Sequence, residues 1–303
     1  MSGTVIARQC DALLALYRRH VRAGEPYALV DFPDHANVGD SAIWLGEIAL
    51  LHAVSAGAPA YVSRWDDFDE AAFRAACPEG PILIHGGGNL GDIWPHHQRF
   101  REYLLERFPD RPIVQLPQSI HFRDPAHRTR FAAQAGRHPD FHLYVRDQPS
   151  QMLAERHVDC PVTLAPDSAF GLGPLPRPGA AECGHLLLLR TDTERAERDD
   201  TPLLALPGAV VRDWLEEAPV TARDPTERAQ QRVARGLNLL ALGETVVTDR
   251  LHGHILSLLL GIDHVVLDND YGKVGAYIAA WTRDSPTVRQ AASPAEAAAM
   301  VAG

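Results

Sequence analysis

Lysine is almost missing from this chain. Lys273 is the only one in 303 residues, and arginine carries the rest of the positive charge. With abundant alanine, this looks like the codon bias of a GC-rich bacterial genome rather than a mark of function. Cysteine is scarce too. Cys10, Cys77, Cys160 and Cys183 form no C-x-x-C pair, which argues against a thiolate zinc site and a disulfide framework and suits reduced thiols. No apolar run approaches the roughly 20 residues of a membrane span. The longest, Ile255 to Ile262, has the length of a core segment. Arg8, Asp11, Arg18 and Arg19 interrupt the first 21 residues, so no signal peptide is expected and a cytoplasmic location is. Positive charge is in deficit, with a formal net charge of −10. That argues against nucleic acid as a bulk partner, because phosphate backbones need a net basic surface. A local anion pocket remains compatible with it. H-E-x-x-H, G-x-S-x-G and G-x-x-x-x-G-K-[ST] are all absent, which argues against a zincin, a serine-hydrolase elbow and a P-loop.

What is present is ordinary globular composition, 46% hydrophobic and 22% charged, at a length that allows two domains of about 150 residues. Strands, polar loops and helices alternate. Tyr27 to Phe32 reads as a strand, followed by the turn Pro33 to Asp40 and a helix from Ser41. Pro81 to His85 is a strand, Gly86 to Asp92 a loop, Pro95 to Phe108 a helix. Pro112 to Leu116, Phe141 to Val145 and Val162 to Ala165 are further strands. Residues 171–184 concentrate Gly and Pro and read as a linker. Beyond it lie strands at His185 to Leu189, Glu244 to Val247 and His264 to Leu267, with helices at Thr226 to Leu242, His254 to Leu260 and Val274 to Trp281. This alternation predicts an α/β chain with two Rossmann-like domains, residues 1–175 and 185–303, whose parallel sheets face one cleft in a GT-B-like arrangement.

Polar residues gather just after strands, where a parallel sheet opens its ligand site. Gly86, Gly88 and Gly91 fit G-x-G-x-x-G, but the next strand runs into Pro117-Gln118 with no acid to hold a ribose. A dinucleotide is therefore disfavoured against a close backbone approach. Asp268-Asn269-Asp270 imitates a metal-binding D-x-D, yet Lys273 follows and a polar turn suits it better. The 15 histidines supply no chelate: His252 and His254, two apart, do not share a helix face, and no metal is expected. The sharpest feature is Val246 to Gly253. There a strand delivers Arg250 and His252 to the start of an apolar helix. A guanidinium fork and helix N–H groups suit a carboxylate or phosphate, and an imidazole beside it can move a proton near neutral pH.

The ordered set Asn37-Val38-Gly39-Asp40, His85-Gly86-Gly87-Gly88-Asn89, Gln118-Ser119, Arg146-Asp147, Asp167, Arg250-Leu251-His252 and Tyr271-Gly272-Lys273 resembles the polysaccharide pyruvyl transferase family over about residues 30–282. The resemblance implies transfer of pyruvate from phosphoenolpyruvate onto two hydroxyls of a sugar, giving a ketal, with no cofactor beyond that co-substrate. It implies Arg250 and Leu251 at the donor, His252 as general acid, and a second donor arginine at Arg146. Lys273 is expected to help hold the anion. Asn37, Gly39, Asp40, His85, Gly86, Gly87, Gly88, Asn89, Gln118, Ser119, Asp167 and Arg190 are expected to line the acceptor side and the cleft. The acceptor would be a sugar or a lipid-linked oligosaccharide of an exopolysaccharide or cell-surface glycan, and a lipid-linked one would bring the chain to the inner membrane face. The rival readings are a GT-B-like glycosyltransferase with a nucleotide-sugar donor and a catalytically silent sugar-binding protein.

Overall fold

The computed structural model describes residues 2–192, 195–215, 220–269 and 272–302. Among them the chain forms two parallel sheets, and the fold class is α/β. It divides into two compact units. One contains residues 11–34 and 43–171. The other contains residues 1–10, 35–42 and 172–303. We refer to them as the first and second units.

The first unit holds β1 (Ala28–Val30), β2 (Tyr61–Ser63), β3 (Ile82–Ile84), β4 (Gly87–Gly91), β5 (Ile113–His121), β6 (Phe141–Val145) and β7 (Val162–Leu164). Their order is β2-β1-β3-β5-β6-β7, with β4 also paired to β5. The helices are α1 (Ser2–Tyr17), α2 (Val38–Ser55), α3 (Glu70–Ala76), α4 (Pro95–Arg107), α5 (Pro125–Ala135) and α6 (Gln148–His157), and the unit boundary passes through α1 and α2. Three of these helices start on an aspartate whose carboxylate accepts from a first-turn N–H: Asp69, Asp124 and Asp147. An Asp at the N-cap satisfies a donor that has no partner inside the helix. Strands β1 and β3 are short, wholly buried apolar runs, as in a parallel sheet covered on both faces. Val30, Ile84, Ile113, Leu143 and Val145 pack with Phe73, Leu104, Phe108 and Phe131 in one core.

The second unit holds β8 (Cys183–Leu188), β9 (Ala209–Arg212), β10 (Gly243–Thr248), β11 (His264–Val266) and β12 (Val288–Gln290), in the order β12-β11-β10-β8-β9. Its helices are α7 (Thr201–Leu204), α8 (Pro225–Ala241), α9 (Leu251–Leu259), α10 (Lys273–Tyr277), which runs into a π-helical turn at Ile278–Thr282, and α11 (Pro294–Ala302). Leu187, Val247, Val265 and Leu267 pack against Leu203, Ala297 and Ala298. Both sheets begin with the order second-first-third, which reverses direction between the first and third strands. In doubly wound sheets ligands bind at that reversal, outside the carboxyl ends of the strands. It lies between β1 and β3 in the first unit and between β8 and β10 in the second.

Several elements differ from the sequence reading. Gly87–Gly91 is a strand rather than a loop, and β5 runs through Pro117 to His121. The register shifts on both sides of β5 near Gln118, which lets a strand containing proline keep its pairing. Gly91, at φ 137°, lies against the His121 carbonyl, where a Cβ would come within 2.6 Å of its carbon. Helix α5 and strands β9 and β12 had no clear signal. Asp270 and Tyr271 lie outside the described residues.

Candidate active site

The reversal point of the second unit is lined by paired charges. Arg190 follows β8, Asp213 follows β9, and Asp249 and Arg250 follow β10. Arg250 is the N-cap of α9 and is 3% exposed. One Nη nitrogen donates to both Asp213 oxygens at 2.9 Å, and the other reaches Asp192 at 3.3 Å. Its Nε has no partner among the described residues. Arg190 grips the same Asp192 with two nitrogens, at 2.8 and 3.1 Å. Asp249 accepts from the Arg190 backbone N–H at 2.8 Å and from Arg198 at 2.6 Å. Arg198 also donates to Asp200. So three arginines stand among four aspartates, each guanidinium already holding a carboxylate. The guanidinium forks have the geometry to hold carboxylate-like anions, and here they hold the chain's own.

His252 lies in the first turn of α9, 8% exposed. The Asn37–Asp40 turn is built against it. Asn37 Oδ1 accepts from the Gly39 N–H at 3.1 Å, and Asn37 Nδ2 donates to Asp40 at 2.8 Å. A Cβ on Gly39 would fall 2.6 Å from Cγ of His252, so the glycine is there because the ring occupies that space. Val38 lies against Gly236 of α8. Arg235 anchors the turn by donating to the Ala36 carbonyl at 2.9 Å and also ties down the Trp214 carbonyl at 2.8 Å. Leu251 is buried. Lys273 opens α10, its backbone N–H on Asn269 Oδ1 at 2.9 Å. The Asp268 carboxylate accepts from the backbone N–H groups of Asn269, Val274 and Gly275 and so caps that helix.

The other sequence-identified residues belong to the first unit. His85 follows β3, buried, with Nδ1 2.7 Å from Glu47 on α2. Glu47 also accepts from the Gly86 N–H at 2.8 Å. Burial pushes the Glu47 carboxyl up, and the His85 ring draws it partly back. Gln118 donates to the His85 carbonyl and to Asn89 Oδ1, and accepts from the Asn89 N–H. Gly87 and Gly88 lie in β4 between these partners. Arg146, 1% exposed, donates to Asp167 at 2.5 Å and to Ser119 at 2.9 Å, and Ser119 donates to Asp147 at 2.6 Å. The structure therefore brings Asn37, Gly39 and Asp40 into the unit of Arg190, Arg250 and His252, and places Arg146 in the other. The sequence reading had grouped the turn with the acceptor side and Arg146 with the donor.

Residues that the sequence did not flag complete both networks. In the second unit these are Asp192, Asp213, Arg198 and Asp249. In the first they are Glu47, Asp31, His97, Arg101 and Gln115. Arg101 is fully buried, donating to Gln115, Gln98 and Asn89. Desolvation lowers its pKa to about 10, with Asp31 and Glu102 opposing, so it stays charged at neutral pH. A strand ending in Asp or a helix carrying Arg on its inner face is the only sequence signal for these.

The profile described as polysaccharide pyruvyl transferase matches residues 37–271. The chain is 32% identical to "Pyruvyl transferase 1" of Schizosaccharomyces pombe over 92% of its own length and 75% of that protein's. It is 31% identical to EpsO of Bacillus subtilis over 86% of both chains. Among solved structures, a functionally uncharacterized protein of Klebsiella pneumoniae matches 93% of this chain and 97% of its own with a TM-score of 0.62, at 17% identity. That last likeness shows the fold. No helix among the described residues is long and apolar enough to cross a membrane.

Proposed function

From the premise that this chain belongs to the polysaccharide pyruvyl transferase family, we propose that it moves the pyruvyl group of phosphoenolpyruvate onto two hydroxyls of a sugar in a cell-surface glycan precursor, free or lipid-linked. The observation that carries the donor assignment is Arg250, buried at a sheet reversal and gripping carboxylates with both Nη nitrogens. Phosphoenolpyruvate offers a carboxylate and a phosphate, the two groups a guanidinium fork holds best. Binding would exchange Asp192 and Asp213 for the donor's own oxygens at Arg250 and Arg190. The first-turn N–H groups of α9 add positive potential on the same side.

His252 is then the acid. It protonates the donor's methylene carbon, which leaves a cationic centre at C2 that a sugar hydroxyl attacks. Two O–H bonds of the acceptor break. C2 gains two C–O bonds and loses its bond to phosphate. One proton completes the methyl group and the other leaves with phosphate. Arg250 and the helix N-terminus stabilise the charge that moves to the phosphate. Lys273, at the start of α10, is assigned to the same anion. The reading carries a cytoplasmic location, at the inner membrane face where the acceptor is lipid-linked.

Titration with phosphoenolpyruvate, followed by calorimetry and thermal unfolding, tests the donor. At a hundredfold excess over the dissociation constant the stabilisation is expected to be about 2.7 kcal/mol. No binding of phosphoenolpyruvate, or a nucleotide sugar bound in its place, would overturn the assignment.

A further inference from the structure

The first unit exposes two tryptophans, Trp65 just after β2 and Trp94 between β4 and α4, beside a buried acid–imidazole pair. Trp65 is 41% exposed and Trp94 44%. Hydrophobic side chains of that size are normally covered, and a cluster of them marks a binding surface. His96 lies between them, its ring 4.6 Å from Trp65 and 6.5 Å from Trp94. The neighbouring His97 ring is 4.3 Å from His96 and 6.4 Å from Trp65. His97 is only 7% exposed. Its Nδ1–H donates to Asp31 Oδ1 at 2.7 Å, which leaves the lone pair on Nε2. Nε2 has no hydrogen bond among the described residues and is not one of the enclosed unsatisfied atoms, so it faces the surface. Asp31 is itself wholly buried and held at φ 69°, the left-handed region that a non-glycine residue adopts at a cost. Its second oxygen faces Asn89 Nδ2 at 3.4 Å.

We propose that this surface is the acceptor-sugar subsite, with a pyranose ring lying on Trp65 and Trp94 and a sugar hydroxyl donating to His97 Nε2. The C–H face of a pyranose is apolar with weakly positive hydrogens. It matches the negative face of an indole, whose size also buries much area at little entropic cost. The inference rests on the pyruvyl-transfer reading and adds the surface that takes its sugar. Asp31 is the positioning residue: by accepting from Nδ1 it leaves Nε2 as the acceptor for that hydroxyl.

The full chain is titrated with methyl gluco-, galacto- and mannopyranosides while tryptophan fluorescence is followed, and phosphoenolpyruvate binding is measured alongside. At least one sugar should give a saturable change. Trp65→Ala and Trp94→Ala should weaken that sugar tenfold or more, with phosphoenolpyruvate affinity and melting temperature unchanged, while the surface variant Met152→Ala behaves as the parent. His97→Asn, whose amide keeps a hydrogen bond to Asp31 but has no ring Nε2, should weaken the same sugar several-fold with phosphoenolpyruvate affinity unchanged. Absence of a saturable signal with every sugar, or equal sugar affinity in the tryptophan variants or in a folded His97→Asn, overturns the proposal. Sugar binding without phosphoenolpyruvate binding instead removes the donor reading and leaves this surface standing.

Discussion

Gly39 and His252 share one volume, so under the pyruvyl-transfer proposal the Asn37–Asp40 turn sets where the acid sits. In Gly39→Ala the new Cβ would lie under 3 Å from the ring, so the imidazole or the turn must move. A displacement near 1 Å costs on the order of 10²-fold in turnover, and donor affinity should change little. Steady-state phosphate release checks this, and near-parental turnover would show that the turn does not position His252. His252→Gln should lose roughly 10²–10⁴-fold in turnover with donor binding retained. Arg250→Lys keeps the charge but not the fork, and should lose about 1.5–3 kcal/mol of phosphoenolpyruvate binding. Asp213→Asn tests the exchange of carboxylates at Arg250. Removing the competing charge should tighten phosphoenolpyruvate in a calorimetric titration, and weaker binding would mean that Asp213 orients Arg250 instead. The sequence pointed to Arg250 and His252 because a strand end and a helix start fall on either side of them. It was silent on Asp192 and Asp213, which reach Arg250 from other strands.

Most elements were legible because an apolar run followed by turn residues and a helical stripe is a local signal. Strands β6 and β7 and helices α4 and α8 fall within a residue or two of their expected bounds. What failed was non-local. The glycine run reads as a loop, yet β5 offers it a ladder, and only the three-dimensional pairing shows that Gly87–Gly91 completes it. Pro117 likewise reads as a strand end, and a register shift carries β5 past it. Helix α9 begins at Leu251, three residues before the expected start, so Arg250 is its N-cap and His252 sits in its first turn. The glycine strand yields its own test. Gly91→Ala combines a positive φ with a close approach to the His121 carbonyl, and should cost on the order of 3 kcal/mol in denaturant unfolding. A loss under about 0.5 kcal/mol, the range of ordinary surface changes, would mean that β4 does not pair there.

At the scale of the whole molecule, the sequence carried the class and the two sheets but not their strand order, which no local pattern encodes. Nor could it show that 35–42 contact α8 and His252, since that depends on Gly236 meeting Val38. Buried histidines were equally hidden. His264 Nδ1–H donates to the Ile262 carbonyl at 2.8 Å, leaving Nε2 to accept from His254 Nδ1–H at 2.7 Å. The second His254 nitrogen then accepts from the Thr282 hydroxyl at 2.9 Å. Every position in this chain needs neutral rings. Burial accordingly lowers the pKa of His264 to about 4 and that of His254 well below its usual value, and lowers His20 to about 4. An imidazole whose folded pKa is depressed binds fewer protons than in the unfolded chain, where it titrates near 6.5. Stability therefore falls as pH drops from about 7 towards 4, by up to 1.4 kcal/mol per pH unit for each such ring. His264 alone accounts for roughly 3 kcal/mol over the whole window. Glu47 runs the other way, because its raised pKa favours the folded state as it protonates, but it is one carboxyl against three rings. Urea unfolding between pH 7.5 and 5 should show the decline, and His264→Gln should flatten it by about one proton's slope. Stability that stays level across that range would mean that these rings are not held neutral in the folded protein.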